Sequence, residues 1–273
     1  MDRSRFFDAL WEDFADMAPQ AAAIREKLEA AGERVWNDHV AFRTFDLSPL
    51  KLAELEPHVF GLGYRLLDEY RFVDKHLRAR AYVCAGSPRI FLSELLCDEL
   101  SNWARGFIEG LVSETPAGFN EGPEVFWAGL PWNPVQFADY ERLSNESEYA
   151  GWLAALGLRP NHFTVSINHL TRLKSVADVL AFVEAAGYRI NESGGRVKGT
   201  RADLLEQGST LADRISVSFA DEAHVIPSCY YEFALRYPDR EGRLYEGFVP
   251  TSADRIFEST NREGPRGLGI TDT

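Results

Sequence analysis

The sequence predicts an α+β fold built from a duplicated βαβββ module, two half-barrel sheets curled around a central cavity, with added helices. Three observations predict it. A strand–helix–three-strand order occurs over residues 36–96 and begins again near residue 160. His39 and His162 stand 123 positions apart, each early in a strand-like run. Gly63-Tyr64-Arg65 and Gly187-Tyr188-Arg189 stand 124 apart, each following a helix and opening the next strand. Two matches at nearly one offset mark an internal repeat.

Residues 3–31 read as helical, because Phe6, Phe7, Leu10, Phe14, Met17 and Ala21 recur at spacings of three or four and Gly32 follows as a stop. Trp36 to Phe45 reads as a strand with His39, Ala41 and Arg43 on one face and Val40, Phe42 and Thr44 on the other. Ser48-Pro49 opens a helix to about residue 60, and strands follow near 64–71, 78–84 and 89–96. Helical runs over 98–114 and 138–156 flank a Pro/Gly/Trp-rich crossing, which reads as a connector. The first pattern then returns: a strand over Asn161–Asn168, a helix over Ser175–Ala186, and strands near 188–190, 195–199, 213–219 and 228–236. The last thirty or so residues read as a surface tail. The expected division is therefore 1–115 (helix plus first module), 116–158 (helical connector), 159–240 (second module) and 241–273 (tail), in one compact unit.

Of the 273 residues, 45% are hydrophobic and 12% aromatic, enough to fill a packed core. A net charge of -13 argues against nucleic acid or an anionic membrane as partner, since phosphates meet repulsion. An anionic substrate then needs a local Arg or Lys. The three cysteines, Cys84, Cys97 and Cys229, show no paired spacing and read as small buried hydrophobes. With no apolar leader at the N-terminus and no membrane-length apolar run, a cytoplasmic location is expected.

His39 and His162 open corresponding strands, and Glu232 lies in the late apolar strand Cys229–Arg236. An ionised carboxylate there is costly unless paired or bound to a metal. Two imidazoles and one carboxylate are the ligand set of non-haem iron(II) oxygenases, although zinc and manganese also suit it. Fe(II) is the expected cofactor. Glu94, in the counterpart strand of the first half, is expected to orient a ligating histidine from behind. Arg43, four residues after His39 on the same face, is expected to meet a substrate carboxylate. His169 follows its strand, where a capping or exposed role is expected, and His58, His76 and His224 lie in a helix, a turn and a loop and read as surface residues, although His76 beside Lys75 could edge a pocket. Lys75, Arg80, Lys198 and Arg214 are candidates for a second substrate carboxylate, with nothing to separate them.

Asn37-Asp-His-Val-Ala-Phe-Arg43, Asn161-His-Phe-Thr164 and the Tyr-Tyr-Glu-Phe strand together resemble the 2-oxoadipate dioxygenase/decarboxylase family, also called hydroxyglutarate synthases. The resemblance covers roughly residues 5 to 250. It implies a vicinal oxygen chelate-like fold around a central metal cavity, iron held by His39, His162 and Glu232, and a substrate carboxylate held by Arg43. The implied reaction converts 2-oxoadipate and O2 to 2-hydroxyglutarate and CO2 in lysine catabolism. The chain looks shorter than better-known bacterial members, which leaves substrate length open. Two other readings keep the fold. A glyoxalase-like isomerase or lyase would use four protein ligands, with Glu94 the fourth, and a non-enzymatic module would only bind a small acid. Oligomeric state is not addressed by any of these residues.

Overall fold

The computed structural model describes residues 1–260. The expected single N-terminal helix is two, α1 (Arg3–Met17) and α2 (Pro19–Ala30). Pro19 lacks the N–H that would continue α1 and sits instead in the first turn of α2, where none is needed. Asp2 caps α1 by accepting from the backbone N–H of Arg5. The buried face of α1, Phe6, Leu10 and Phe14, packs on Phe126, Phe163 and Tyr231.

The first module runs β1 (Asn37–Phe45), α3 (Leu52–Gly61), β2 (Arg65–Phe72), β3 (Leu77–Val83) and β4 (Arg89–Leu95). Helices α4 (Asn102–Ser113), α5 (Phe137–Glu146) and α6 (Glu148–Leu156) lead to the second module. That module holds β5 (Pro160–Ser166), α7 (Val176–Ala185), β6 (Lys198–Thr200), β7 (Leu205–Ser209), β8 (Arg214–Ser218), β9 (Ala223–Pro227) and β10 (Tyr230–Arg236). Helix α8 (Pro250–Phe257) closes the described chain.

Eight strands form one mixed sheet in the order β2-β3-β4-β1-β5-β10-β7-β6. The order reads the same from either end once the halves are superposed, with β1 and β5 antiparallel at the seam and parallel to β4 and β10 respectively. This is the duplicated half-barrel expected from the repeat.

Three details of the second half differ from expectation. The 213–219 run leaves the main sheet and pairs with β9 in a separate two-stranded ribbon. The 188–190 run makes only a single bridge, Ile190 to Thr210. The true third strand is β7, whose Glu-Gln-Gly centre carries no apolar alternation because Gln207 faces the cavity where His39, His162 and Glu232 meet. Gly208 is required there, since a Cβ would lie 2.8 Å from Leu180 and 2.9 Å from Val176 of α7.

The tail also differs. Helix α8 lies against β2 and β6, the two edge strands, and so spans the opening left by the curled sheet. Residues 261–273 of the expected tail lie outside the described residues. No described helix is long and apolar enough to cross a membrane.

Candidate metal centre

Strand β1 brings His39, β5 brings His162 and β10 brings Glu232 to one point beneath α8. One ligand atom from each lies within 4.8 Å of the others, and all three residues are buried. The Nε2 atoms of the histidines are 3.4 Å apart, and the Glu232 carboxylate oxygens stand 3.8 Å from His39 Nε2 and 3.3 Å from His162 Nε2.

The neighbours decide what these atoms offer. His39 Nδ1 lies 2.9 Å from an Asp38 carboxylate oxygen, and His162 Nδ1 lies 3.2 Å from the Asn161 side-chain oxygen. Both Nδ1 atoms therefore carry the proton, which leaves two Nε2 lone pairs facing one point. The Thr164 hydroxyl, 3.0 Å from His39 Nε2, can donate to one of them. Glu232 Oε1 accepts from the Gln207 amide at 2.5 Å, while Oε2 is buried without a hydrogen-bond partner among the described residues. Two converging lone pairs and an orphaned carboxylate oxygen are mutually repulsive unless a cation or proton lies among them. The donor set fits a divalent metal.

Sequence reasoning missed Asp38, Asn161 and Gln207. Asp38 neighbours His39 in the chain and would ordinarily face the other way. The β1–β5 register shifts between Asn37 and His39, and this irregularity lets both side chains meet. Burial alone would raise the Asp38 carboxyl, but the guanidinium of Arg236 and the hydrogen bond from His39 outweigh it and hold it well below the usual range.

Glu94 does not join the centre. Its Oε2 accepts from the backbone N–H of Leu52 at 2.8 Å, at the start of α3, and its Oε1 accepts from Arg78. Register explains this. Glu232 pairs with Thr164, two residues after His162, and the matching place in the first half, opposite Ala41, is Phe91. Glu94 is three residues further and points to the other face. Replacing Glu94 with Ala orphans the Leu52 N–H and is expected to cost about 1–3 kcal/mol of stability while leaving metal affinity unchanged. A loss of metal affinity without loss of stability in titration and denaturation would contradict this.

Arg43 lies on β1 beside the centre, fully enclosed. It donates to Glu148 and to the Thr260 hydroxyl at 2.9 Å each, and its guanidinium lies over Tyr149 and Trp152. Among the described residues its Nε has no hydrogen-bond partner. The other histidines are elsewhere: His169 meets Ser166, His58 the Asn120 carbonyl, His76 Glu99, and His224 stacks on Phe137. Among the proposed far-end cations, Arg80 is paired with Glu56 and Glu69, Arg214 is exposed, and Lys198 is 3% exposed. The remaining space at the centre is about 20 Å³, lined by His39, His162, Glu232, Gln207, Phe91, Phe248 and Ile256 of α8.

Burial drives the ionisation. Desolvation lowers His39, partly offset by Asp38, and lowers His162 further, helped by His39 and Arg43. Desolvation raises Glu232 to about 8, against the hydrogen bond from Gln207. The two effects have opposite signs. A lowered imidazole adds stability as pH rises, and that gain is complete above the unfolded value of 6.5. Glu232 keeps a proton that the unfolded chain loses near 4.5, so stability falls with pH until about 8. Between pH 6.5 and 8 only the fall remains, and metal-free protein is expected to lose roughly 1–2 kcal/mol, read as a lower Tm. Metal-loaded protein, whose Glu232 must already be ionised, should lack this decline. A flat metal-free profile would mean that Glu232 is not protonated.

Comparison with known proteins identifies the chain's relatives. The profile of the 2-oxoadipate dioxygenase/decarboxylase family matches residues 124–243. The 2-oxoadipate dioxygenase/decarboxylase of Oryza sativa subsp. japonica plastids is 34% identical over 272 residues, 90% of this chain and 75% of that protein. Among solved structures, hydroxyglutarate synthase from Oryza sativa, in complex with 2-oxoadipate, superposes with a TM-score of 0.90 at 31% identity, covering 95% of this chain and 92% of that one. A protein from Shewanella frigidimarina described as a hydrolase is 42% identical with a TM-score of 0.86, covering 90% of this chain and 97% of that one. A glyoxalase superfamily protein from Ralstonia eutropha, 22% identical with a TM-score of 0.76 over 89% of this chain and 84% of that one, shares the fold, which is of the vicinal oxygen chelate kind. A third of the residues held in common along nine-tenths of the chain, on one shared architecture, place this protein among oxidoreductases: it belongs to the 2-oxoadipate dioxygenase/decarboxylase family.

Proposed function

We propose that this chain is an Fe(II)-dependent dioxygenase that converts 2-oxoadipate and O2 to 2-hydroxyglutarate and CO2, a step of lysine breakdown. Both oxygen atoms and all six carbons are accounted for, so no further reductant is needed. The observation that carries the reading is the buried set of His39, His162 and Glu232 with Phe91 at the fourth symmetric place. Iron(II) held by such a set supplies the redox chemistry with dioxygen that side chains lack, and leaves positions for a bidentate 2-oxo acid. A four-ligand isomerase site is disfavoured by the same Phe91.

The protein's own contribution is binding and exclusion of water. Asp38 and Asn161 hold the imidazoles in the ligating tautomer, and Gln207 fixes one oxygen of Glu232. Arg43 offers its free Nε–H, and a substrate carboxylate can replace the Thr260 hydroxyl on its Nη2. Phe91, Phe248 and Ile256 form an apolar cover that keeps bulk water out. The reading also places the reaction in the cytoplasm, where three free cysteines suit a reducing environment.

The test is oxygen uptake by anaerobically iron-loaded protein offered 2-oxo acids from oxoglutarate to oxopimelate. Uptake peaking at 2-oxoadipate with one CO2 released per O2 supports the reading. Tightly bound iron with no uptake on any of these acids rejects it.

A further inference from the structure

The Gly-Tyr-Arg sequence that marks the internal repeat is put to two different uses. In the first half Tyr64 is buried, its hydroxyl donates to the Pro88 carbonyl at 2.6 Å, and Arg65 pairs with Glu246. In the second half Tyr188 and Arg189 line a cavity of about 320 Å³, and neither the phenol nor the guanidinium has a partner among the described residues. Gln20 of α2, Asp213 and Arg214 at the head of β8, and Ser259 of the turn Glu258–Thr260 share its wall. The size is ordinary for a small-ligand site.

Charge decides what would enter. Arg189 and Arg214 bring two guanidiniums. Asp213 is the one carboxylate among the lining residues, and both its oxygens are engaged: Oδ2 accepts from the backbone N–H of Gln20 at 2.8 Å and Oδ1 from that of Arg214 at 3.2 Å. Arg214 spends one nitrogen on the Val225 carbonyl, whereas Arg189 spends none. In a chain of net charge -13 this is a local excess of cation, with guanidinium and phenol donors suited to a compact oxyanion.

Ser259 joins the cavity to the metal centre. Its carbonyl accepts from the N–H of Ala212 in the cavity wall at 2.9 Å, and its hydroxyl meets Asn191 and Ser209. The next residue, Thr260, accepts from Arg43. On the functional reading above, a substrate carboxylate displaces the Thr260 hydroxyl from Arg43. A ligand seated against Ser259 holds that turn in place, and so favours the state without substrate. We propose that the cavity is an oxyanion site whose occupant, a small phosphate- or carboxylate-bearing metabolite, opposes substrate binding through Ser259 and Thr260. The binding stands on the cavity alone, and the opposition rests on that functional reading.

The test begins with calorimetry of metal-free protein against inorganic phosphate and against malonate, at ionic strength fixed with chloride. One of the two is expected to bind once per chain, and which one does so tells a phosphate site from a carboxylate site. Arg189→Ala should weaken that binding about tenfold, the low end for a charge-assisted hydrogen bond because the guanidinium is exposed, and Arg189→Lys should restore part of it. Neither substitution removes a described contact, so Tm without the anion should be unchanged. With iron-loaded protein, the bound anion should raise KM for 2-oxoadipate at least about fivefold and leave kcat at saturation unaltered. By reciprocity 2-oxoadipate should weaken the anion by the same factor, and Arg189→Ala should abolish the response. Binding of neither anion, or binding that Arg189→Ala leaves unchanged, overturns the site. Anion binding that leaves KM unchanged overturns the coupling. Iron-loaded protein that consumes no 2-oxo acid overturns the functional reading instead, and the metal-free calorimetry still decides the site.

Discussion

Glu232→Gln protein is expected to bind iron at least about a hundredfold more weakly and to show no oxygen uptake above background. Loss of a group behind a ligand already costs 10- to 100-fold in affinity, and here a ligand loses its charge. Gln has nearly the same shape and can still accept from Gln207, so the fold should survive. The substitution carries a second signature. Without an ionisable group at this place, the metal-free variant should no longer lose stability between pH 6.5 and 8, and should be more stable than metal-free wild type at pH 8. Metal content after dialysis, oxygen uptake and Tm against pH together check this. Tight iron binding with retained uptake would remove Glu232 from the ligand set.

Asp38→Asn is expected to have the largest effect on stability. Asp38 accepts from Nε and Nη2 of Arg236 at 2.8 Å each, from His39 at 2.9 Å, and lies 3.4 Å from Arg89. The Arg236 side chain is 0% exposed. Removing the negative charge strands a buried guanidinium, a change that costs about 3–5 kcal/mol. It also loosens the His39 tautomer, so iron affinity should fall about 10- to 100-fold in the same protein. Arg236 further donates to the carbonyls of Tyr245 and Gly247, which hold Phe248 over the centre, so the damage should reach the cover. Denaturant titration and metal titration measure the two effects. A stability change below about 1 kcal/mol would show that Asp38 is not the counter-ion of Arg236 in solution.

The parts of the site legible in the sequence were polar residues standing in apolar strands at repeat-related places. His39, His162 and Glu232 announce themselves that way, and the repeat gave the sheet order its symmetry. Asp38 did not, because its role depends on a register shift that strict alternation cannot anticipate. Glu94 was misplaced for a related reason. It sits on the right strand, but the residue matching Glu232 is Phe91, and an odd step along a strand reverses the face. Strand β7 was missed because its inward residue, Gln207, is polar for the sake of the centre, which erased the apolar pattern that marks strands. Helix α8 could not be foreseen as a cover, since the edges it bridges are far apart in sequence and meet only when the sheet curls.

The seam between β1 and β5 divides the proposed ligands, with His39 on one side and His162 and Glu232 on the other. A bound ion is therefore also a staple: it ties the two repeats together, and neither repeat alone can hold it. Each half thus has a stake in the other's integrity, and occupancy is transmitted to the whole molecule, adding about 2.7 kcal/mol when free metal is a hundred times its Kd. Metal starvation is then expected to lower the standing amount of this protein as well as its turnover, since a less stable chain opens more often to proteolysis.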